Sequence, residues 1–414
     1  MLELVAAAIL CLYFLILGWS LYSIPILAAG VRHLRKSKHS TAQRDSVHTS
    51  LPSFSIVVPI RNEERVIGRL LDALLNLRYS GRKEIIVAED GSTDRTLDIC
   101  LRYEKEHPEV VRVLHKKSSV GGKSAALNYG ISAAKGEIIG VFDADNVPDS
   151  DVLSNVCKYF DDPNVAAVQG RTLSINSEEN MLTKFISYEE AVWCEAYLRG
   201  KDVLNLFVHL KGSCQFLRRS VIERLDGFDE NVLSEDLEIS AKLTSKGYRI
   251  KYAPDVRSWQ ESPANPRQLI GQRTRWFRGT MEVAFKYGRL MSAPSRRSFD
   301  AEATLFTPII LIISLFTFLM SISSFYFPFP IGLLWQIIMQ FTAVVMVISF
   351  FIGGLALIYV TKPKKVKNLC WLPFLYFYWS LQTIIASYAV LLIVFRRPRR
   401  WLKTDKSGAI SRLP

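Results

Sequence analysis

The sequence predicts a soluble α/β domain with a mainly parallel, Rossmann-like sheet, joined to α-helical transmembrane segments. Between residues 54 and 290, short apolar segments of strand length alternate with segments of helical periodicity, a pattern typical of βαβ units. On both sides lie uncharged apolar stretches longer than the ~20 residues that span a bilayer. A hydrophobic content of 49% over 414 residues agrees with a chain that is partly embedded in a membrane.

The first segment, residues 1–30, is predicted to be a retained transmembrane helix. It carries no charge from residue 4 to residue 30. It is too long for a signal peptide, and it has no basic residue ahead of it and no small-residue cleavage site. The basic cluster at 32–38 follows it, which places the next domain in the cytosol by the positive-inside rule. Residues 31–53 are polar and are predicted to be a linker.

The α/β domain is predicted over residues 54–290. The periodicity predicts strands at 54–60, 84–90, 110–116 and 137–143, and helices at 64–77, 93–106 and 122–135. In parallel sheets ligands bind beyond the carboxyl ends of the strands. Polar clusters at 61–64, 89–90 and 143–145 follow three of these strands, so we expect one site at this edge.

The second half of the domain has a looser pattern. A strand is predicted at 164–175, an amphipathic helix at 181–198, a helix at 235–246 that Ser234 can cap, and a basic, aromatic helix at 265–290.

Residues 304–395 are predicted to form a second membrane region, followed by a basic tail at 396–414. Three spans fit the apolar pattern, at about 304–326, 331–360 and 369–395. Three spans would leave the basic tail outside, whereas the positive-inside rule puts it inside. We expect a cytosolic C-terminus, with the last segment re-entrant at Pro373 or the number of spans wrong by one.

The net charge of +13 comes in large part from clusters at the membrane ends. Such clusters favour anionic lipid headgroups over nucleic acid as the partner. Six cysteines are present without a C-x-x-C pair, which argues against a zinc site or a disulfide framework.

Asp143 and Asp145 end an apolar strand in the sequence VFDADN. Alternate residues of an extended segment point to the same side, and two close carboxylates require a cation or a shared proton. Mg²⁺ or Mn²⁺ bound to a diphosphate would meet this need. Taken alone, the pair is also typical of a capped turn.

Two other segments carry candidate chemistry at helix starts. Gly121, Gly122 and Lys123 open a helix, which suits an anionic ligand, although a glycine turn with a solvated lysine is the alternative. The sequence LSEDLEI places Glu235 and Asp236 in a first helical turn. These carboxylates either interact with the helix dipole or supply a general base.

The sequence QRTRWFRG places Gln272, Arg275 and Trp276 at helical positions i, i+3 and i+4, so they share a face. An amide, a guanidinium and an indole on one face can hold a phosphate and stack on a sugar. A basic helix at the membrane interface with a Trp anchor is the alternative.

Seven motifs in order carry a resemblance to a known family: VVPIRNEE, VAEDGSTD, GGKSAALN, FDADN, KGSCQFLRRS, LSEDLEI and QRTRW. Together they resemble the family-2 glycosyltransferases, and more narrowly the membrane-embedded processive synthases of hyaluronan, cellulose, chitin and poly-N-acetylglucosamine. The resemblance covers about 54–280 and implies a GT-A-like fold, with a Rossmann-like mixed sheet, for the domain.

The resemblance also implies roles for the motif residues. It implies nucleotide binding by Glu89, Asp90, Lys123 and Asp143, metal binding by Asp145 and Asp143, a general base in Asp236, and diphosphate or acceptor binding by Gln272, Arg275, Trp276, Glu235, Gly212 and Ser213. The implied cofactor is Mg²⁺ or Mn²⁺. The sequence reads Ser-Glu-Asp and Glu-Asp where the family more often has Thr-Glu-Asp and two aspartates, and neither change removes a carboxylate.

By the same resemblance, the chain would be a multi-pass protein of the cell membrane with a cytosolic catalytic domain. It would transfer GlcNAc or glucose from a UDP-sugar to a growing β-linked polysaccharide with inversion, and export the product. One alternative is a transferase that adds a single sugar to a lipid such as ceramide or polyprenyl phosphate. The other is a non-catalytic membrane protein that binds nucleotides or polyanions.

Overall fold

The computed structural model describes residues 2–37, 51–117, 121–288, 295–327, 332–360 and 370–398, together with Lys406 and Gly408. Three predicted segments lie wholly or partly outside the described residues. They are residues 38–50 of the predicted linker, the basic segment at 361–367 and most of the tail after 398.

Eight strands and fourteen α-helices are present in the described part of the chain. The strands are β1 Phe54–Ile60, β2 Lys83–Asp90, β3 Val111–Lys116, β4 Ile138–Val141, β5 Val147–Pro148, β6 Val165–Ser174, β7 Gln215–Arg218 and β8 Arg249–Gln260. The helices of the first half are α1 Leu2–Ser37, α2 Ile67–Leu75, α3 Thr96–Glu106, α4 Gly122–Ser132, α5 Val152–Cys157, α6 Met181–Val192 and α7 Arg199–Val203. Those of the second half are α8 Arg219–Arg224, α9 Glu235–Ser245, α10 Pro266–Tyr287, α11 Arg296–Leu305, α12 Thr307–Tyr326, α13 Leu333–Val360 and α14 Leu372–Val394.

The strands form one mixed sheet in the order β3-β2-β1-β4-β7-β6-β8-β5. The first four strands are parallel, β7 is antiparallel to β4 and β6, and β6 runs parallel to β8. The predicted Rossmann-like α/β domain is therefore confirmed, with a mixed sheet.

Both faces of the sheet are covered, which explains the continuous apolar runs of the central strands. Ile56 and Val58 of β1 pack into one hydrophobic cluster with α2 and α5, while Val57 packs into another with α4, α8 and α9. Successive side chains of a strand point to opposite faces, so a single apolar strand serves both cores.

The carboxyl ends of β1, β2 and β4 meet at one edge of the sheet, as predicted. The strands are in parallel register, and the loops beyond β1 and β2 contact each other, since the Asn62 backbone N–H donates to Ser92 Oγ over 2.9 Å. Functional side chains on these loops are therefore brought to a common edge.

Three helical segments differ from the sequence expectations. The first helix does not end at residue 30 but continues to Ser37, so residues 31–37 of the predicted linker are helical. The helix predicted at 181–198 is α6 followed by a π-helical turn at Trp193–Leu198 that leads into α7. Ser234 stands at the N-cap of α9 without a side-chain capping bond.

Within the described ranges, four helices are long and apolar enough to cross a membrane, namely Ala7–Arg35, Thr307–Tyr326, Leu333–Leu357 and Leu372–Val394. Helix α1 packs very closely against the α/β domain through glycines. A Cβ atom on Gly30 would lie 1.8 Å from the carbonyl oxygen of Ala196, and one on Gly200 would lie 1.9 Å from that of Ile26. Helix α1 and the α/β domain are therefore tightly packed against each other.

Both ends of α14 contact the α/β domain. At its start, the Trp371 ring lies 6.0 Å from the Phe185 ring of α6. Beyond its end, the Arg278 guanidinium of α10 donates to the carbonyl oxygens of Arg397 (2.7 Å) and Pro398 (3.2 Å). Contacts with the α/β domain are therefore present near both ends of α14.

Candidate active site

Three other segments converge on the ammonium group of Lys123 at the carboxyl edge of the sheet. Its Nζ lies 2.7 Å from Asp143 Oδ1, beyond β4, and 3.1 Å from Glu235 Oε1, at the start of α9. It also donates to the carbonyl oxygen of Gly212 over 3.0 Å, in the segment before β7. The predicted residues from four separate motifs therefore form one cluster.

Gly212 lets the segment before β7 approach this cluster. Its φ is +79°, and a Cβ atom would lie 3.1 Å from Lys123 Nζ and 3.2 Å from Asp236 Oδ2. A side chain is therefore disfavoured by the backbone conformation and would crowd these two neighbours. The next residue, Ser213, accepts a hydrogen bond from the Asp143 backbone N–H over 3.0 Å, which fixes the position of the aspartate.

The charges of the cluster perturb one another strongly. Burial alone would lower the pKa of Lys123, but the carboxylates of Asp143 and Glu235 raise it above its ordinary value. Burial raises the pKa of Asp143, against the opposing effect of Lys123. Perturbed groups that share a cleft are typical of functional sites.

Asp236 is the carboxyl group with the properties of a base. Burial, together with the nearby charge of Glu235, raises its pKa to about 7. It lies in the first turn of α9 and faces Gly212. A carboxylate with a pKa near neutrality can both take up and release a proton at physiological pH.

Asp145 lies in the same loop as Asp143 and is paired with a second lysine. Its Oδ2 is 2.7 Å from Lys406 Nζ and accepts from the Glu261 backbone N–H over 3.0 Å. Although burial raises the pKa of Asp145, Lys406 lowers it below the ordinary value. Strand β4 ends at Val141, so the two aspartates lie in a turn and not in the extended segment that the sequence predicts.

The carboxylates fit a cation bridged to a diphosphate. Asp143 and Asp145 each hold an ammonium group at 2.7 Å, so both positions already stabilise a positive charge. Among the described residues, no group of three or more His, Cys, Asp or Glu side chains could hold a metal ion by itself. Asp143 and Asp145 would hold Mg²⁺ or Mn²⁺, hard cations that prefer carboxylate and phosphate oxygens.

Glu89 and Asp90 lie at the end of β2, both buried. Glu89 is fully enclosed: one carboxylate oxygen accepts from the Ser92 backbone N–H and the other contacts His115 Nδ1, each at 2.5 Å. The structure therefore places Glu89 where it holds the loop after β2, behind the surface of the cleft.

Helix α10 brings the QRTRW motif to the cluster. The pKa of Arg275 is lowered by burial and raised by the nearby carboxylates of Glu235, Asp143 and Asp236, with burial dominant. Trp276 is 36% exposed, and the guanidinium carbon of Arg273 lies 4.4 Å from the centre of its ring. Gln272 lies on the same helix and is partly buried.

Sequence reasoning missed Lys406 and Arg273. It also missed Glu189 and Tyr378, which contact Arg273. No spacing pattern joins Lys406 to the D-x-D pair, since the contact exists only in the folded chain. For Arg273 a signal was present, because it lies within the QRTRW motif itself.

The profile described as "Glycosyltransferase like family 2" matches residues 52–279. This range covers more than half of the chain and contains every site residue discussed above except Lys406. The chain therefore belongs to the family-2 glycosyltransferases, and its α/β domain has the GT-A-like fold.

Three curated proteins illustrate the range of relatives. The "Probable glycosyltransferase YdaM" of Bacillus subtilis is 34% identical over 64% of each chain. The "Beta-monoglucosyldiacylglycerol synthase" of Nostoc sp. is 32% identical over 66% of this chain and 56% of the relative. The "Poly-beta-1,6-N-acetyl-D-glucosamine synthase" of Staphylococcus aureus is 28% identical over 61% of this chain and 60% of the relative. Each match spans less than two thirds of the relative's length.

Among solved structures, the mannosyltransferase PcManGT from Pyrobaculum calidifontis, in complex with GDP-Man and Mn²⁺, superposes with a TM-score of 0.58. The two chains are 20% identical, with coverage of 94% of this chain and 100% of the other. At this identity the likeness supports the fold.

Proposed function

We propose that this protein is an inverting, metal-dependent glycosyltransferase of the cell membrane, with its catalytic domain in the cytosol. The donor is a UDP-sugar, UDP-N-acetylglucosamine or UDP-glucose, and the acceptor is a hydroxyl group of a growing β-linked polysaccharide. The observation that carries the proposal is the convergence of Lys123, Asp143, Glu235 and Asp236 around Gly212. This convergence places Asp236, a carboxylate that can act as a base, beside the sheet edge where the nucleotide would bind.

In the proposed mechanism, Asp236 accepts the proton of the acceptor hydroxyl. The acceptor oxygen attacks the anomeric carbon, the new C–O bond forms as the bond to the diphosphate breaks, and the diphosphate leaves with the electron pair. Lys123 and Arg275 supply positive charge beside the leaving group. When bound at Asp145 and Asp143, Mg²⁺ or Mn²⁺ would neutralise charge on the diphosphate. A single displacement inverts the anomeric centre, so an α-linked donor yields a β-linked product.

A lipid acceptor is the second candidate. The relatives named β-monoglucosyldiacylglycerol synthases are 31–32% identical to this chain, whereas the poly-N-acetylglucosamine synthase is 28% identical. In that case one sugar is added to one lipid, and the chemistry at Asp236 is the same.

The test is a panel of nucleotide sugars given to the full chain in lipid nanodiscs with Mg²⁺ or Mn²⁺. Diphosphate release and product size are both measured, because size separates a polymer from a monoglycosylated lipid. We expect release to depend on the metal and to stop on chelation. Absence of release with every donor, with or without metal, would contradict the proposed function.

A further inference from the structure

A second polar cluster adjoins the site on the side of α14. Glu189 of α6 is the shared acceptor, since its Oε2 lies 2.6 Å from Arg273 Nη2 and accepts from the Tyr378 hydroxyl over 2.7 Å. Beside it, Glu190 Oε1 lies 3.9 Å from Lys211 Nζ. We call these five residues the acceptor-side cluster.

Through Lys211, this cluster adjoins the segment that faces Asp236. Lys211 immediately precedes Gly212, and Gly212 faces Asp236. Arg273 lies over the ring of Trp276, a side chain that remains partly open to solvent. A molecule that presents a hydroxyl group to Asp236 would therefore pass along these side chains.

The charges of the cluster are balanced. Arg273 is paired with Glu189, and Lys211 lies beside Glu190 and also donates to Thr172 Oγ1 over 2.8 Å. A phosphate group needs cations that are not already neutralised by carboxylates. With two carboxylates set against two cations, the cluster offers no net positive charge to an anionic headgroup.

Several hydrogen-bonding atoms here are buried without a partner among the described residues. They are Oε2 of Glu190, Nε of Arg273 and both amide atoms of Gln382. Gln382 is 4% exposed and lies one helical turn beyond Tyr378 on the same face of α14. Unpaired buried polar groups are costly, and in apolar segments they tend to mark ligand sites. Unpaired acceptors together with unpaired donors match a hydroxyl group, which both donates and accepts.

We propose that the acceptor-side cluster, extended by Gln382, is a binding site for an uncharged, hydroxyl-rich acceptor and discriminates against a phosphate-headed one. This inference rests on the proposed function and narrows its acceptor class. It also agrees with the presence of Asp236, because an alcohol must lose a proton to become a nucleophile, whereas a phosphate group is already ionised and needs no base.

The experiment compares three acceptors with the full chain in nanodiscs, using a donor that supports diphosphate release. They are a diacylglycerol, a short neutral β-linked oligosaccharide and a polyprenyl phosphate. We expect sugar transfer to one or both neutral acceptors and none to the phosphate, and the neutral arms show whether the hydroxyl comes from a lipid or a glycan. Transfer to the polyprenyl phosphate at a comparable rate would overturn the inference.

Variants test the named residues. Glu190→Gln and Gln382→Leu should each raise the acceptor KM about tenfold, the effect of losing one or two buried hydrogen bonds, and leave the donor Kd unchanged. Glu109→Gln, at an exposed carboxylate beside β3, is the matched control and should change neither value. An unchanged acceptor KM in both test variants would overturn the inference. Absence of diphosphate release by the unmodified chain with every acceptor would instead contradict the proposed function.

Discussion

At the scale of single residues, the properties of Asp236 make pH the simplest probe. The group must be ionised to act as a base, and burial raises its pKa to about 7. We expect kcat/KM at saturating Mn²⁺ to fall about tenfold per pH unit below this value. A flat profile between pH 5.5 and 8 would exclude Asp236 as the base.

The same pKa shift has a consequence for stability. The pKa of Asp236 is raised in the folded chain from 3.8 to about 7, so between these values the folded state binds a proton that the unfolded state has released. This residue therefore favours folding at low pH, and its contribution is lost as the pH rises through about 7.

Lys406 allows a second test at the residue scale. Its ammonium lies 2.7 Å from Asp145 Oδ2, where a divalent ion would need the same carboxylate. Removing a competing cation should strengthen metal binding, so we expect Lys406→Ala to lower the Kd for Mn²⁺ about tenfold, as measured by the electron paramagnetic resonance of free Mn²⁺.

Two variants in the α/β domain serve as controls for Lys406→Ala. Lys158→Ala removes an exposed ion pair with Asp255 and should leave Mn²⁺ binding unchanged, while Asp145→Asn should weaken it strongly. Weaker Mn²⁺ binding by Lys406→Ala would show that the lysine assists the metal and does not compete with it.

At the scale of elements, the close contact of α1 with α7 depends on glycine. A Cβ atom on Gly200 would lie 1.9 Å from the carbonyl oxygen of Ile26, whereas one on Gly18 would meet nothing within 4 Å. We expect Gly200→Ala to destabilise the protein by about 1–3 kcal/mol through overpacking, and Gly18→Ala to have no such effect. Thermal unfolding in detergent measures both, and equal Tm values for the two variants would contradict the packing described.

Helix α14 illustrates why length and composition do not determine topology. It is apolar enough to cross a membrane, yet contacts at both ends join it to the α/β domain. The sequence predicted three C-terminal spans after a cytosolic domain, which would leave the basic tail outside. The positive-inside rule instead places that tail in the cytosol. A re-entrant or interfacial α14 would remove the conflict.

This arrangement predicts the result of a labelling experiment. Cys370 at the start of α14 and an introduced Arg397→Cys after its end are both at exposed positions. In a Cys11→Ser background, we expect a membrane-impermeant maleimide to label both from the side of the catalytic domain. Labelling of the two positions from opposite sides would show that α14 crosses the membrane.

At the scale of the whole molecule, the sequence predicted the fold because its two periodicities were well separated along the chain. It also predicted the central site, since acidic residues after parallel strands must meet at one edge. It predicted neither Lys406 nor the pairing of Glu189 with Arg273 and Tyr378, because those contacts join segments whose proximity only the packed tertiary structure creates. Likewise, Glu89 reads as a ligand in its motif, but the fold encloses it with His115 and Ser92.

The central claim is that one cleft binds the nucleotide sugar while Asp236 separately activates the acceptor. The most direct measurement compares donor binding and sugar transfer in Asp236→Asn within the full chain. The account predicts a donor Kd close to that of the unmodified protein and a loss of transfer of at least about a hundredfold. Transfer at the unmodified rate by Asp236→Asn would contradict it.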